Sequence, residues 1–499
     1  MRRGPLADSY PSAVALVVFS LIPFLSLTAA VFPMVTVIGK SLGIATTTLD
    51  VTLSLSTAGY AVGTVLAVQL ATHFPARRLL LVYETAFVVS AVLAAWAPTA
   101  DVFLGAFVTE GLCTSLMLIA AVPPLIIGWP PERMPVTGAV MNLAIFGAVA
   151  IGPTVGAVQA ASGSWRPLFW GVAAVAFLAL LFSVLTFEDA PPQDTSAPWD
   201  VLALVLAVLG CAAAFFGAGV LEIRRSVGPL PLVPLLTGAV LVTVLVVNQY
   251  RKREPLMPVR QLATVFPVAG ITIAMSASAA AFGLMELVLT VLVTKAGLVD
   301  TALLFLPEFA AAVVTAGLFG ALFRTRFTPV LAFAGMAVLA GAAALLVNVA
   351  TEGNLLIALG TWMVGLGVGA SVSPALFLAG FSLRSHEVQR VFALIELLRG
   401  VTAFLVAPIL IYLVVPLGGG NKAVGIRGAI WICLGIAVVG GLVAFAVLWR
   451  GGGRLQAPDL GRWQQQDEPA WESPPLARPR DDAAREEGEQ EEELAAERR

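Results

Sequence analysis

Up to residue 450 the chain is a succession of fourteen apolar runs, most of them 18–25 residues long, broken by short polar loops. Inside a run the apolar residues follow one another without the alternation of a half-exposed strand. About 20 such residues, rising ~1.5 Å each, cross a bilayer core of roughly 30 Å. In hydrocarbon a chain satisfies its own backbone only as a helix or a closed barrel. The pattern therefore predicts membrane helices over 13–35, 51–71, 79–98, 102–127, 137–160, 167–187, 200–220, 230–249, 265–292, 301–323, 328–348, 354–379, 389–415 and 427–449. Only the short loop Glu222 to Gly228 separates the seventh run from the eighth.

Composition points the same way. Hydrophobic residues make up 59% of the chain and charged residues 12%, with a mean hydropathy of +0.92; soluble domains carry about 25% charged residues. The fold class is thus an all-α polytopic membrane protein. The net charge of -2 conceals two parts: residues 451–499 hold 13 acids and 7 arginines, against 18 acids and 22 bases before them. Residues 450–499 have too little apolar surface to offset their ordering entropy, so an acidic, disordered tail is expected, with a short polar helix conceivable from Asp481 to Arg499. Cys113, Cys211 and Cys433 sit inside apolar runs and read as small core residues. His73 and His386 stand singly near loops, so neither a metal site nor a cofactor is expected. Arg2-Arg3 before Ala13 to Val35 imitates a signal peptide, but the run exceeds a normal signal core and many spans follow. It is expected to stay as a first span.

An even number of spans puts both termini on one side. Fifteen basic residues, among them Arg77, Arg78, Arg133, Lys252, Arg260, Arg384 and Arg390, fall in loops on that side, and seven on the other. The positive-inside rule then predicts a cell-membrane protein with both termini cytoplasmic. The loop after run 2, Leu70-Ala-Thr-His-Phe-Pro-Ala-Arg-Arg-Leu79, resembles the loop after run 10, Leu322-Phe-Arg-Thr-Arg-Phe-Thr-Pro-Val-Leu331. Both are tight basic turns after the second span of a six-span set, although any cytoplasmic hairpin tends to be basic. The division that follows is a terminus at 1–12, a first six-helix bundle over 13–187, two inserted spans with their loops over 188–264, and a second six-helix bundle over 265–449. Repeated halves around a central site are the usual build of secondary transporters.

Three stretches carry a family resemblance. Run 5 is punctuated by Gly138, Gly147, Gly152-Pro153 and Gly156 and followed by Trp165-Arg166-Pro167-Leu168-Phe169. Arg253-Glu254-Pro255-Leu256-Met257-Pro258-Val259-Arg260 precedes run 9, and run 12 holds Gly365-Leu-Gly-Val-Gly369 and Pro374. Spacing alone also fits plain helix packing, since glycines let helices approach and proline bends them. Taken together, the stretches resemble the major facilitator superfamily, in its fourteen-span drug:proton antiporter branch, over roughly residues 13–449. Gly147, Gly152, Pro153 and Gly156 are similar to that branch's antiporter motif. The resemblance implies alternating access between two halves and uptake of substrate from the cytoplasm or inner leaflet. It also implies a chain that acts singly. This sequence departs from the branch in several places. Thr72, His73, Pro75 and Ala76 stand where the loop after run 2 usually has an Asp-Arg pair and Gly-Arg, leaving Arg77 and Arg78 as gating residues. Phe107 and Glu110 replace an arginine and a glutamine of run 4, and Phe24 replaces a carboxylate of run 1.

Charge at mid-span costs about 2.5–3.5 kcal/mol on insertion scales, so each case needs a reason. Glu110, about nine residues into run 4, and Glu286, in the outer third of run 9, are candidates to load and release a proton. Either could instead be structural. Glu396 and Arg399, three apart on one face of run 13, can form an ion pair that lowers the cost of both. Glu84, Asp50 and Glu308 lie near span ends and read as interfacial. Arg77 and Arg78 either anchor the loop to anionic lipid or cap helix ends at a gate. Run 1 has no ionisable residue, only Ser26, Thr28 and Pro33, which points to a mostly apolar cavity for hydrophobic or amphipathic small molecules.

The expected function is export of such molecules by a secondary transporter, coupled to protons, with membrane lipids as surroundings. One alternative is an uncoupled or specialised metabolite or lipid exporter, favoured by Thr72 and Phe24. Another is a degenerate transporter fold serving as a membrane sensor or scaffold through its tail. No nucleophile–base cluster or phosphate loop argues for an enzyme, and nothing argues for nucleic-acid binding.

Overall fold

The computed structural model describes residues 5–188, 191–192, 194–224, 227–453 and 456–476. The expected helix from Asp481 to Arg499 lies outside them, as do Arg2, Arg3, Asp189, Arg225 and Arg454. Fourteen helices among the described residues are long and apolar enough to cross a membrane. They are α1 (Tyr10–Leu42), α2 (Thr46–His73), α3 (Ala76–Trp96), α4 (Ala100–Ile127), α5 (Pro131–Ala161), α6 (Arg166–Thr186), α7 (Val201–Arg224), α8 (Pro229–Arg251), α9 (Val265–Lys295), α10 (Leu298–Leu322), α11 (Thr328–Leu346), α12 (Asn354–Gly380), α13 (Ser385–Gly418) and α14 (Lys422–Arg450). Each overlaps its predicted run. Several extend further than the apolar stretch because local chemistry, not hydropathy, sets the ends. Left-handed Gly43 (φ 67°) and Gly419 (φ 52°) close α1 and α13. The Asn421 side chain accepts the Ala423 and Val424 amides at the start of α14.

Helix packing repeats along the chain. α1 lies on α5, α2 on α4 and α3 on α6; eight helices later α9 lies on α13, α10 on α12 and α11 on α14. The two six-helix sets meet along α2 against α13 and α5 against α10. Between them in sequence, α7 and α8 form a hairpin whose α7 touches both α2 and α13. That hairpin is tight because Gly217 faces the Pro231 carbonyl and Leu235 amide, and Gly238 faces Ala214, where any side chain would collide. Successive helices alternate in direction. The loops carrying Arg77, Arg133, Lys252, Arg324 and Arg384 therefore share one end of the molecule, called the basic end below.

Two expectations need correction. Residues 456–476 do not behave as a solvated tail: a short helix, α15 (Leu460–Gln465), sits on the basic end with Trp463 and Trp471 buried. Its two tryptophans supply the apolar surface that the acidic composition of the whole segment obscured. Glu84 and Glu308 are not interfacial either, being 1% and 4% exposed. Distance from a span end gives depth but not the helix face, and both point inward.

Candidate functional site

At the basic end the seam between the halves is closed by packing on its α5–α10 side. Gly138 of α5 lies against the Phe319 and Phe323 rings, and Gly320 of α10 against Ala139. The Gln389 side chain donates to the Ile119 carbonyl across the seam at 3.2 Å. Deeper, buried Asn142 donates to the Gly369 carbonyl at 3.2 Å and accepts from the Ser373 hydroxyl at 3.0 Å, joining α5 to α12. Immediately after Asn142, residues Leu143–Gly147 form a π-turn. Such turns arise from one extra residue in a helix and recur at functional sites. Gly147 lies in it, where a side chain would meet Leu143 and Phe309.

The pair expected from Glu396 and Arg399 is present. Arg399 Nε lies 3.1 and 3.2 Å from the two Glu396 oxygens, and both side chains are buried. Sequence reasoning missed the third member. Tyr60 of α2 donates its hydroxyl to Glu396 Oε2 at 3.0 Å, so the ion pair of one half is bonded to the other half. The signal available was a lone tyrosine at the middle of an apolar run, a residue that seeks a partner when buried.

Away from the basic end, α1, α2, α4, α7, α9 and α13 line a cleft of about 60 Å³ at the seam. Asp50, Glu222 and Glu286 stand on its wall with Phe32, Phe107, Phe282 and Phe404. Among the described residues neither Asp50 nor Glu286 has an ion-pair partner. Ser56, 1% exposed, also borders the cleft and its hydroxyl is without a hydrogen bond. The expectation of a mostly apolar cavity did not include these acids. It rested on α1, which indeed contributes only Thr28 and Phe32, whereas the acids come from α2, α9 and the inserted α7.

The remaining candidates lie elsewhere. Glu110 is wholly buried, lies off the cleft, and neither of its oxygens has a partner. Gly152 and Gly156 press α5 onto α1, where a side chain at 156 would strike the Ala30 carbonyl. Pro153, inside the same helix, is buried with them. Arg77 donates to the Val184 carbonyl at 2.9 Å, capping the end of α6 within its own half, while Arg78 is exposed.

The Major Facilitator Superfamily model matches residues 14–407, which is most of the chain and reaches into the second bundle. The chain belongs to the Major Facilitator Superfamily. Members of this superfamily are transporters, not enzymes. Similar proteins include the Multidrug resistance protein B homolog of Mycobacterium tuberculosis, 25% identical over 64% of this chain and 60% of that one. Also similar is the uncharacterized MFS-type transporter YhcA of Bacillus subtilis, 24% identical over 39% of this chain and 36% of its own. The Lincomycin resistance protein LmrB of Listeria innocua is 23% identical over 34% and 36%. The matches to YhcA and two further Bacillus subtilis proteins span 36–40% of those relatives' length. The fold of this superfamily member is also that of the human organic anion transporter MFSD10 (TETRAN) crystal structure. That likeness has a TM-score of 0.59 at 12% identity, over 87% of this chain and 99% of the other.

Proposed function

We propose that this chain exports amphipathic cations across the cell membrane by alternating access, in exchange for protons. The acidic, phenylalanine-lined cleft at the seam carries the reading. Carboxylates attract a cationic head, ring faces attract it further, and the rings receive an apolar body. A carboxyl that holds either a proton or the cation, but not both, supplies exchange without a separate relay. Glu286 takes that role in preference to Glu110, because it borders the cleft while Glu110 is sealed away.

The cleft of 60 Å³ is far below the roughly 300–1,000 Å³ of drug-sized sites. A rocking of the halves must therefore widen it before substrate binds. The basic end is taken as cytoplasmic from the loop charges, with Arg78 and its neighbours against lipid head groups. Relatives named for lincomycin and multidrug resistance support export as the direction. The protein is taken to act as a monomer.

The test is substrate-induced proton movement in proteoliposomes holding the purified protein, with tetraphenylphosphonium as probe. The expected result is proton release from the side that takes up the cation, and uptake that follows an imposed pH gradient. Uptake indifferent to that gradient would leave an uncoupled exporter. Preference for neutral over cationic probes of equal size would overturn the assignment of substrate class.

A further inference from the structure

Residues 456–476 are bonded to the two halves unequally. To the second bundle they are anchored many times over. Trp463 is fully buried, donates its indole N–H to the Leu383 carbonyl at 2.8 Å and meets the Phe381 ring edge-on at 4.7 Å. The Ala470 amide donates to the Phe381 carbonyl at 2.8 Å, and Asp467 accepts from Ser385 at 2.8 Å and contacts His386 Nδ1 at 2.6 Å. Beyond them the Ser473 hydroxyl accepts the Phe266 amide at 2.9 Å, and the Pro474 carbonyl accepts the Val265 amide at 3.0 Å, at the start of α9.

Among the described residues, the hydrogen bonds between this segment and the first bundle come from one side chain. Gln464 donates from Nε2 to the carbonyls of Ile127 at 2.5 Å and Trp129 at 2.7 Å, at the end of α4. The Ile127 carbonyl belongs to the last turn of α4, which has no partner of its own beyond the helix end, and Trp129 follows two residues later. The segment thus rides on one half and, among the described residues, hydrogen-bonds the other through a single amide while α15 packs on residues 131–133.

We infer that residues 456–476 form a releasable clasp, in which Gln464 holds the basic ends of the two halves together and its release permits that end to open. The inference rests on the alternating-access reading above. Because the anchor on α9, α12 and α13 does not involve Gln464, the clasp can let go without unfolding. It is a brake on one step of the cycle and forms no part of the cleft.

The experiment places nitroxide labels at exposed positions in opposite halves, Glu132→Cys and Arg324→Cys, and reads the distance distribution with and without tetraphenylphosphonium. In the full chain two populations are expected, a dominant short distance and a minor long one. Gln464→Ala should raise the long-to-short ratio roughly 5–30-fold, the effect of one to two hydrogen bonds. Gln464→Glu, which sets a carboxylate against two carbonyls, should raise it at least as far. Both variants leave Trp463 in place, so loss of fold is checked by an unchanged melting temperature. Two populations in the parent chain that neither variant shifts would overturn the clasp and leave alternating access standing. A single distance in every sample would overturn both.

Discussion

Replacing Tyr60 by phenylalanine removes the hydroxyl that joins the Glu396–Arg399 pair to the opposite half. The ring stays, so its contacts with Phe24 at 6.4 Å and Phe404 at 6.2 Å between centroids persist and no cavity opens. What is lost is a hydroxyl donor to a buried carboxylate. Hydrogen bonds to charged groups contribute about 1.5–3 kcal/mol. Glu396 keeps both its contacts from Arg399, so the lower end of that range applies. About 1.5 kcal/mol corresponds to roughly a tenfold change in an equilibrium. Tyr60 lies on α2 and Glu396 on α13, the helices that must part for the basic end to open, so the loss falls on the closed arrangement alone. Nitroxides at 132 and 324 should therefore show the open population rising about tenfold in Tyr60→Phe. A ratio within about twofold of the parent would refute the reasoning, because the bond would then survive in both arrangements or contribute nothing to either. Glu396→Gln is a poor substitute: it leaves a buried guanidinium uncompensated, which costs about 3–5 kcal/mol of folding and obscures the conformational effect.

Three further outcomes follow from the packing. In proteoliposomes Glu286→Gln should abolish pH-driven cation uptake while Glu110→Gln retains it; the reverse pattern would return the coupling role to Glu110. Gly156→Val drives a branched side chain into the Ala30 carbonyl and should lower stability by about 1–3 kcal/mol, seen as a lower melting temperature in detergent, while Gly171→Val, on an exposed face of α6 with open space around it, would not collide. Asp200 caps α7 through the Ala203 amide at 3.1 Å and accepts from Gln249 at 2.8 Å and Lys252 at 2.6 Å. Burial alone would raise its carboxyl, but the Lys252 and Gln249 bonds outweigh this and hold it below the usual range. Its contribution is thus complete at neutral pH and is lost only as pH falls through the lowered value, below about 4. Asp200→Ala should accordingly cost about 0.5–2 kcal/mol at pH 7 and progressively less as pH is lowered below the usual carboxylate range, measured by thermal unfolding along a pH series.

The helices were legible because a bilayer imposes a length and a polarity that hydropathy reads directly. The Glu396–Arg399 pair was legible because three residues along a helix bring two side chains to one face. What escaped was everything that depends on which face of one helix meets another. Asp50 and Glu286 are 236 positions apart, and no period along the chain announces that they share a wall with Glu222. Glu84 was misplaced for the same reason: it turns inward to accept from the Ser20 hydroxyl at 2.9 Å. The buried end of the tail was hidden differently, by averaging. Two tryptophans within 456–476 were outweighed by the acids of the whole tail, nine of the thirteen lying after 480.

The α7–α8 hairpin leaves the two seams of the molecule in unequal surroundings. It touches α2 and α13 together and so shutters that side against the acyl chains. Among the described residues none covers the α5–α10 side in this way, and Val158, Leu303, Val313 and Val314 present bare aliphatic surface there. A solute already dissolved in the lipid therefore meets a molecule with one flank curtained and one flank bare, and its sideways approach has a preferred compass bearing.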